Sequence, residues 1–210
     1  MSALNRIAHF QARRDEVPSQ ELARDLALRK DRAGIHEIAE NLWNKDKGTQ
    51  TDCIKVLYEI GYIQPTLIVD HVEDFINLLK SRNNRLVWGG MIALGTVADL
   101  KPDVIFAHLT EIQKAINTGS VITVDNGVRT LAWAASQGGK YNKAIFPYLI
   151  DHLKTCRPQD VPQHAEKTLP AVANSSNKKE FTAVLAKRME DLTGSGLARV
   201  KKVIKQAADH

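Results

Sequence analysis

Apolar residues recur along this chain with a period of about 37 residues, and this repeat constrains the fold more than any other sequence feature. One set of positions is separated by 37, 37 and 38 residues: Leu57, Leu94, Leu131 and Leu169. A second set follows one helical turn later with the same spacings: Ile60, Val97, Ala134 and Val172. A fixed period of this length predicts that one supersecondary unit is repeated in space.

A separate ladder of apolar residues lies upstream of the first in each unit. Its three rows are each spaced by 37 residues: Ile35, Val72, Leu109, Phe146; Ile38, Phe75, Ile112, Leu149; and Leu42, Leu79, Ile116, Leu153. Within a unit these positions are three or four residues apart, which is the spacing of one helix face. Each unit is therefore predicted to hold two amphipathic helices, A and then B.

The pattern weakens at both ends of the chain. A fifth unit continues with Leu185 and Met189 in its A helix and Val200 and Val203 in its B helix. Residues 1–33 are interpreted as a degenerate N-terminal unit, with one helix near 2–13 and another near 19–31. Residues 34–210 form the regular array, and the whole chain is treated as one domain.

The repeat also predicts the fold class. A stripe of Leu and Ile on one hairpin cannot be buried by that hairpin alone, so neighbouring units must stack. We expect an all-α structure without strands, and the segment TGSVITVD is interpreted as a loop that enters a B helix. Pro170 predicts a kink or an early helix end, and Pro147 predicts a late start or a bend in the fourth A helix.

The unit length, the paired helices and the segment RLVWGGMIALGTVADL resemble HEAT and armadillo-type repeats over roughly residues 34–208. This resemblance implies a right-handed α-solenoid of about five two-helix repeats, with the B helices on its concave side. It implies little about function, because such solenoids serve as scaffolds, adaptors and transport factors, and occasionally as enzymes.

The B-helix positions that point away from the core form candidate binding columns. The central column is mostly basic: Lys55, Ile92, Arg129, Lys167 and Lys201. The next column contains Trp133 and Lys205, and Trp88 stands at the start of the second B helix. We predict a partly basic surface on which Trp133 offers an aromatic platform. The alternative is that these cations only solvate an exposed face.

The charge of the chain is uneven. Residues 1–105 hold 14 Lys and Arg against 15 Asp and Glu, whereas residues 106–210 hold 15 against 9. A basic half favours an acidic partner. We expect a protein partner first and a nucleic acid as the second possibility, on a scaffold without an activity of its own.

The sequence lacks the common motifs of catalysis and metal binding. There is no HExxH, CxxC, GxSxG or P-loop, so no enzyme activity, cofactor or metal is expected. The chain does resemble, in length, helicity and basic groove, a bacterial alkylpurine DNA glycosylase family built from HEAT-like repeats. That resemblance assigns site roles to Trp88, Arg129 and Trp133, but Ile92 stands where the family has an aspartate, and Asp125 is the nearest acidic candidate.

The remaining expectations concern location. No run of 18 apolar residues and no apolar signal segment is present, so no membrane association is expected. Cys53 and Cys156 form no motif, as is usual in a reducing compartment, and we expect a cytoplasmic protein.

Overall fold

The structure is a computed structural model that describes residues 2–13 and 15–209; Met1, Arg14 and His210, which the predicted units 1–33 and 34–210 include, lie outside these residues. The described part is helical and contains no β-strand. This confirms the all-α prediction. Its α-helices are α1 Val17–Arg29, α2 Arg32–Glu40, α3 Lys47–Ile63, α4 Val72–Leu78, α5 Asn84–Val97, α6 Pro102–Ala107, α7 Leu109–Thr118, α8 Val121–Ser136, α9 Gly139–Thr155, α10 Val161–Thr168, α11 Ser175–Arg188 and α12 Gly194–Asp209.

The helices form two layers. Helices α1, α3, α5, α8, α10 and α12 pack side by side in that order, each against the next, and we call them the B layer. Helices α2, α4, α7, α9 and α11 each pack against a B helix, and we call them the A layer. Each element contacts near neighbours in sequence, as expected for a stacked solenoid.

The hydrophobic core lies between the two layers and uses the predicted ladder. Leu57, Leu94 and Leu131 are fully buried, as are Ile60 and the middle A-helix row of Ile38, Phe75, Ile112 and Leu149. Leu169 is only partly buried, because α10 ends at Thr168 and Leu169–Ala171 forms a 3-10 turn. The predicted early helix end at Pro170 is thus confirmed.

Short polar side chains begin several helices. Each accepts a hydrogen bond from a backbone N–H of the first turn, which satisfies a donor that the helix itself leaves free. These capping residues are Asp31, Asp46, Asn83, Ser120 and Asn174. Ser120 shows that one prediction was wrong: α8 begins at Val121, so most of TGSVITVD is helix and not loop.

The A-layer segments vary more than the sequence predicted. One is divided at His108 into α6 and α7, and another is preceded by the 3-10 turns Pro65–Leu67 and Val69–His71. Units of three helical pieces are found among HEAT and armadillo repeats. The predicted late start at Pro147 is wrong, because α9 begins at Gly139 and runs through the proline.

The N-terminal segment also differs from the prediction. Residues 2–13 hold two 3-10 turns, Leu4–Arg6 and His9–Gln11, in place of an α-helix. Tertiary contacts hold this irregular path: Ile7 is fully buried, and the backbone N–H of His9 donates to Asp52 of α3. The second predicted helix of the unit corresponds to α1.

Candidate partner-binding site

All seven residues that the sequence nominated lie on B-layer helices. Lys55 is on α3, Trp88 on α5, Arg129 and Trp133 on α8, Lys167 on α10, and Lys201 and Lys205 on α12. We call the surface that these seven residues mark the B face. Ile92, which belongs to the predicted central column, is buried and interrupts the row of cations.

The N-terminal part of the B face is close to electrically balanced. Lys55 is only 12% exposed, and its Nζ lies 2.5 Å from Glu16 Oε1. A cavity of about 270 Å³ beside this pair has acidic and basic lining residues: Asp15, Glu16, Ser19, Thr51, Asp52, Lys55, Arg85 and Trp88. Trp88 is partly buried, with its ring tilted against Tyr58 at a centroid distance of 6.3 Å.

The centre of the B face is an aromatic and cationic cluster. The guanidinium carbon of Arg129 lies 5.8 Å from the ring centroid of Tyr62, so this side chain of α8 crosses α5 to reach α3. The side chain passes close to Gly95 of α5, where a Cβ would lie in van der Waals contact with Arg129 Cδ at 3.7 Å. Trp133 lies one turn after Arg129 on the same helix face. Tyr62 is 51% exposed and Trp133 39%.

Next to this cluster, Lys167 has an acidic neighbour. Its Nζ is 3.9 Å from Asp125 Oδ1. Burial lowers the pKa of Lys167, Asp125 opposes that effect, and the nearby charge of Arg129 adds to it. Burial alone would raise the pKa of Asp125, but the hydrogen bond with His164 and the charge of Lys167 hold it below its usual value. The carboxylate of Asp125 therefore partly neutralises the positive charge that Lys167 contributes to the B face.

The C-terminal part of the B face is the most openly basic. Lys201 and Lys205 are four residues apart on α12, so they share one face of that helix, and both are exposed. The charge excess of the second half of the sequence thus reaches solvent on α12.

Sequence reasoning missed a cluster that lies next to the B face. Asp125 Oδ1 is 2.8 Å from His164 Nε2, and His164 Nδ1 is 3.0 Å from His152 Nε2. Cys156 completes the group. Burial and the neighbouring His164 lower the pKa of His152 to about 4, so this imidazole is neutral at neutral pH. The available signal was that His152 and Cys156 are four residues apart in a helical segment, which places both on one face.

The same cluster bears on the DNA glycosylase resemblance. Ile92 is buried where the family's aspartate would stand, and the carboxylate of Asp125 is engaged by the side chains of Gln163 and His164.

None of the helices in the described part of the chain has both the length and the hydrophobicity needed to span a bilayer.

Comparison with models of known protein families gives no match, and neither does comparison with curated protein sequences. Solved structures do match. An engineered protein aligns with a TM-score of 0.71 and 20% identity, over 100% of this chain and 96% of that one. A designed armadillo repeat protein in complex with the peptide (KR)4 aligns with a TM-score of 0.69 and 12% identity, over 90% and 85% of the two chains. A second designed armadillo repeat protein aligns with a TM-score of 0.67 and 11% identity, over 91% and 94%.

These identities are low enough that the likeness concerns the fold alone. The chain is an all-α repeat solenoid. More specifically, its fold is of the armadillo/HEAT helical repeat type.

Proposed function

We propose that this protein is a non-catalytic scaffold that binds an extended segment of a partner protein along the B face, which is the concave face in solenoids of this type. The observation that carries the proposal is the cluster of Arg129, Tyr62 and Trp133. It combines a cation with two partly exposed aromatic rings, the residue types that contribute most to protein interfaces.

The charge of the B face supports an acidic partner. Arg129, Lys201 and Lys205 present positive charge, and Lys55 and Lys167 are held near carboxylates. One solved armadillo neighbour is a complex with the all-basic peptide (KR)4. By charge complementarity, the segment bound here would instead carry Asp or Glu, with apolar or aromatic side chains between them to pack on Tyr62 and Trp133.

Nucleic acid is the second candidate, and the exposed Lys201 and Lys205 together with Trp133 favour it. Exposed rings can stack on bases, and lysines neutralise phosphates. A DNA glycosylase activity would in addition require release of an alkylated base from duplex DNA, and this release would be lost in Asp125→Asn.

We further propose a cytoplasmic location, which suits the two free thiols of Cys53 and Cys156.

Fluorescence polarisation of labelled probes tests the proposal. The probes are an alternating Glu-Leu peptide with two tryptophans, the (KR)4 peptide, and a 20-nucleotide single-stranded DNA. We expect the acidic peptide to bind and the basic peptide not to bind. Raising the salt concentration from 50 to 200 mM should weaken the binding of DNA far more steeply than the binding of a peptide that is held partly by apolar contacts.

A matched pair of charge reversals locates the site. In one triple variant, Arg129, Lys201 and Lys205 are each replaced by Glu. This variant should bind the acidic peptide at least about tenfold more weakly, because like charges then face each other. The control reverses the same number of exposed lysines on or beside A-layer helices, Lys80, Lys143 and Lys187, and should change affinity less than about twofold. Equal losses in both variants would reject the B face, and binding of DNA alone would replace the protein partner with a nucleic acid.

A further inference from the structure

Three potential metal ligands converge at the junction of α9 and α10. His152 lies in the last turn of α9, Cys156 directly follows that helix, and His164 lies on α10. One donor atom from each residue lies within 4.8 Å of the other two. The cluster is sheltered, since His164 is buried and the other two residues are partly buried.

The orientation of His164 is fixed from outside the cluster. Its Nε2 lies 2.8 Å from Asp125 Oδ1, and a carboxylate can only accept, so Nε2 carries the proton. The other oxygen, Oδ2, accepts a hydrogen bond of 2.7 Å from Gln163 Nε2, which holds the carboxylate in place. In the neutral form of His164, Nδ1 then carries the lone pair, and this atom lies 3.0 Å from His152 Nε2.

We propose that His152 Nε2, His164 Nδ1 and Cys156 Sγ form a binding site for a single transition-metal ion of the Zn²⁺ class. A carboxylate that holds the far nitrogen of a liganding histidine is a recurrent partner of protein metal sites, and Asp125 holds this position. Two imidazole nitrogens and a sulfur select zinc and related ions, whereas Ca²⁺ and Mg²⁺ require oxygen donors.

The distances fit such an ion after small side-chain shifts. Tetrahedral zinc with bonds of about 2.0–2.3 Å separates two nitrogens by about 3.3 Å, and a nitrogen from a sulfur by about 3.6 Å. His152 Nε2 and His164 Nδ1, at 3.0 Å, need to separate by a few tenths of an ångström. The sulfur of Cys156 lies within 4.8 Å of one ring nitrogen of each histidine, so the thiol needs to approach by about an ångström.

The site has three protein ligands, and a tetrahedral ion bound there would take its fourth ligand from solvent. A cavity of about 240 Å³ adjoins it, with Asp125, His164, Arg157 and Asp160 among its lining residues. A bound ion would tie the end of α9, in the A layer, to α10, in the B layer.

Metal titration of the full chain, stripped with a chelator, tests the site. Co²⁺ is added first, because a cobalt–thiolate bond gives a charge-transfer absorption that a nitrogen-only site lacks. Zn²⁺ is then measured by competition with a chromophoric chelator. We expect one equivalent per chain, the thiolate absorption, and protection of Cys156 from iodoacetamide by at least about tenfold when zinc is bound.

Variants of the sulfur ligand Cys156 and of Asp125, the partner of His164, follow. Cys156→Ser should remove the charge-transfer absorption and weaken Zn²⁺ at least about tenfold, and Asp125→Asn should weaken it about 10- to 100-fold while the absorption remains. His36→Gln is the control, because His36 stacks on His71 at 6.0 Å and forms a histidine pair elsewhere in the fold. That variant should retain wild-type zinc affinity.

Three outcomes would overturn the proposal: no thiolate absorption in the wild type, an unchanged absorption in Cys156→Ser, or a loss in His36→Gln equal to that in Cys156→Ser. If Cys156→Ser does not fold, alkylation of the wild type decides the matter. Cys53 is fully buried, so Cys156 is the thiol that reacts in the native protein. Equal alkylation rates with and without Zn²⁺ would then reject the site.

Discussion

Arg129 places its guanidinium over the ring of Tyr62, 5.8 Å from the ring centroid, although α5 lies between the helices that carry the two residues. This contact joins α3 to α8 across an intervening unit. It also gives the candidate site its centre, because the same arginine precedes the exposed Trp133 by one turn.

A double-mutant cycle measures the Arg129–Tyr62 contact. We expect Arg129→Met and Tyr62→Leu to show a coupling of about 0.5–1 kcal/mol in the free energy of unfolding, the usual value for a cation–π pair near the surface. The coupling is obtained from urea unfolding of the wild type, the two single variants and the double variant. The cycle of Lys205→Met with Tyr62→Leu should be additive, because Lys205 lies on α12 at the far end of the B layer. Additivity in both cycles would show that the Arg129 contact contributes nothing.

Gly61 allows α3 and α5 to approach closely. A Cβ at Gly61 would overlap the hydroxyl of Thr96, so Gly61→Ala should lower the free energy of unfolding by about 1–3 kcal/mol, even though alanine favours helix formation. Gly139→Ala is the matched control. A Cβ at that position meets nothing within 4 Å, so this variant should be neutral or slightly stabilising. Thermal unfolding followed by circular dichroism separates the two, and a stabilised Gly61→Ala would contradict the close packing.

Arg188 of α11 caps the C-terminal end of α9. Its guanidinium donates to the carbonyl oxygens of Leu153, Lys154 and Cys156 at 2.8–2.9 Å. Arg188→Met should lower the free energy of unfolding by on the order of 3 kcal/mol, since each buried acceptor left without a donor costs about 1–3 kcal/mol. Lys187→Met changes an exposed neighbour and should cost less than about 0.5 kcal/mol. Urea unfolding that gave similar losses for both would argue against the cap.

A salt bridge between α10 and α12 predicts a pH dependence. The hydrogen bonds from Arg199 hold the pKa of Glu166 below its usual value. A carboxyl group with a lowered pKa in the folded state stabilises above its unfolded pKa of about 4.3, and the contribution disappears as the pH falls through the folded pKa. Both side chains are nearly half exposed, so the pair is expected to contribute at most about 1 kcal/mol.

The variant Glu166→Gln isolates this pair. Its free energy of unfolding should be lower than that of the wild type at pH 7, and the difference should shrink as the pH falls below about 4.3 and as salt is added. Guanidinium chloride is a salt and would itself screen the ion pair, so urea is the appropriate denaturant. A difference that grew toward acid pH would contradict the assigned direction of the pKa shift.

Much of the fold could be predicted from the spacing of apolar residues. The ladder through Leu57, Leu94 and Leu131 is buried as expected, and Pro170 ends α10 as expected. Prediction failed where local hydrogen bonds or distant contacts decided the backbone. Ser120 capped α8 in a segment that was interpreted as loop, and the N-terminal segment adopted 3-10 turns around the buried Ile7.

Trp43 is a residue whose burial cannot be predicted from α-helical periodicity, because the helix changes its twist just before it. If the first A helix continued as an α-helix, Trp43 would pack beside Leu42 at its end. In the structure α2 ends at Glu40 and the chain tightens into the 3-10 turn Asn41–Trp43, so Leu42 stays buried and Trp43 is 53% exposed. Three residues per turn rotate successive side chains further than an α-helix does.

The sequence by itself determined the repeat, because helices with one apolar face bury it only by stacking, and it determined which residues lie on the B layer. The tertiary structure decided which of those side chains meet. Arg129 reaches Tyr62 across α5, Lys55 pairs with Glu16, and His164 lies between Asp125 and His152. Periodicity assigns a residue to a face of its own helix, but the contacts between side chains depend on how adjacent helices are rotated and spaced, and packing sets both.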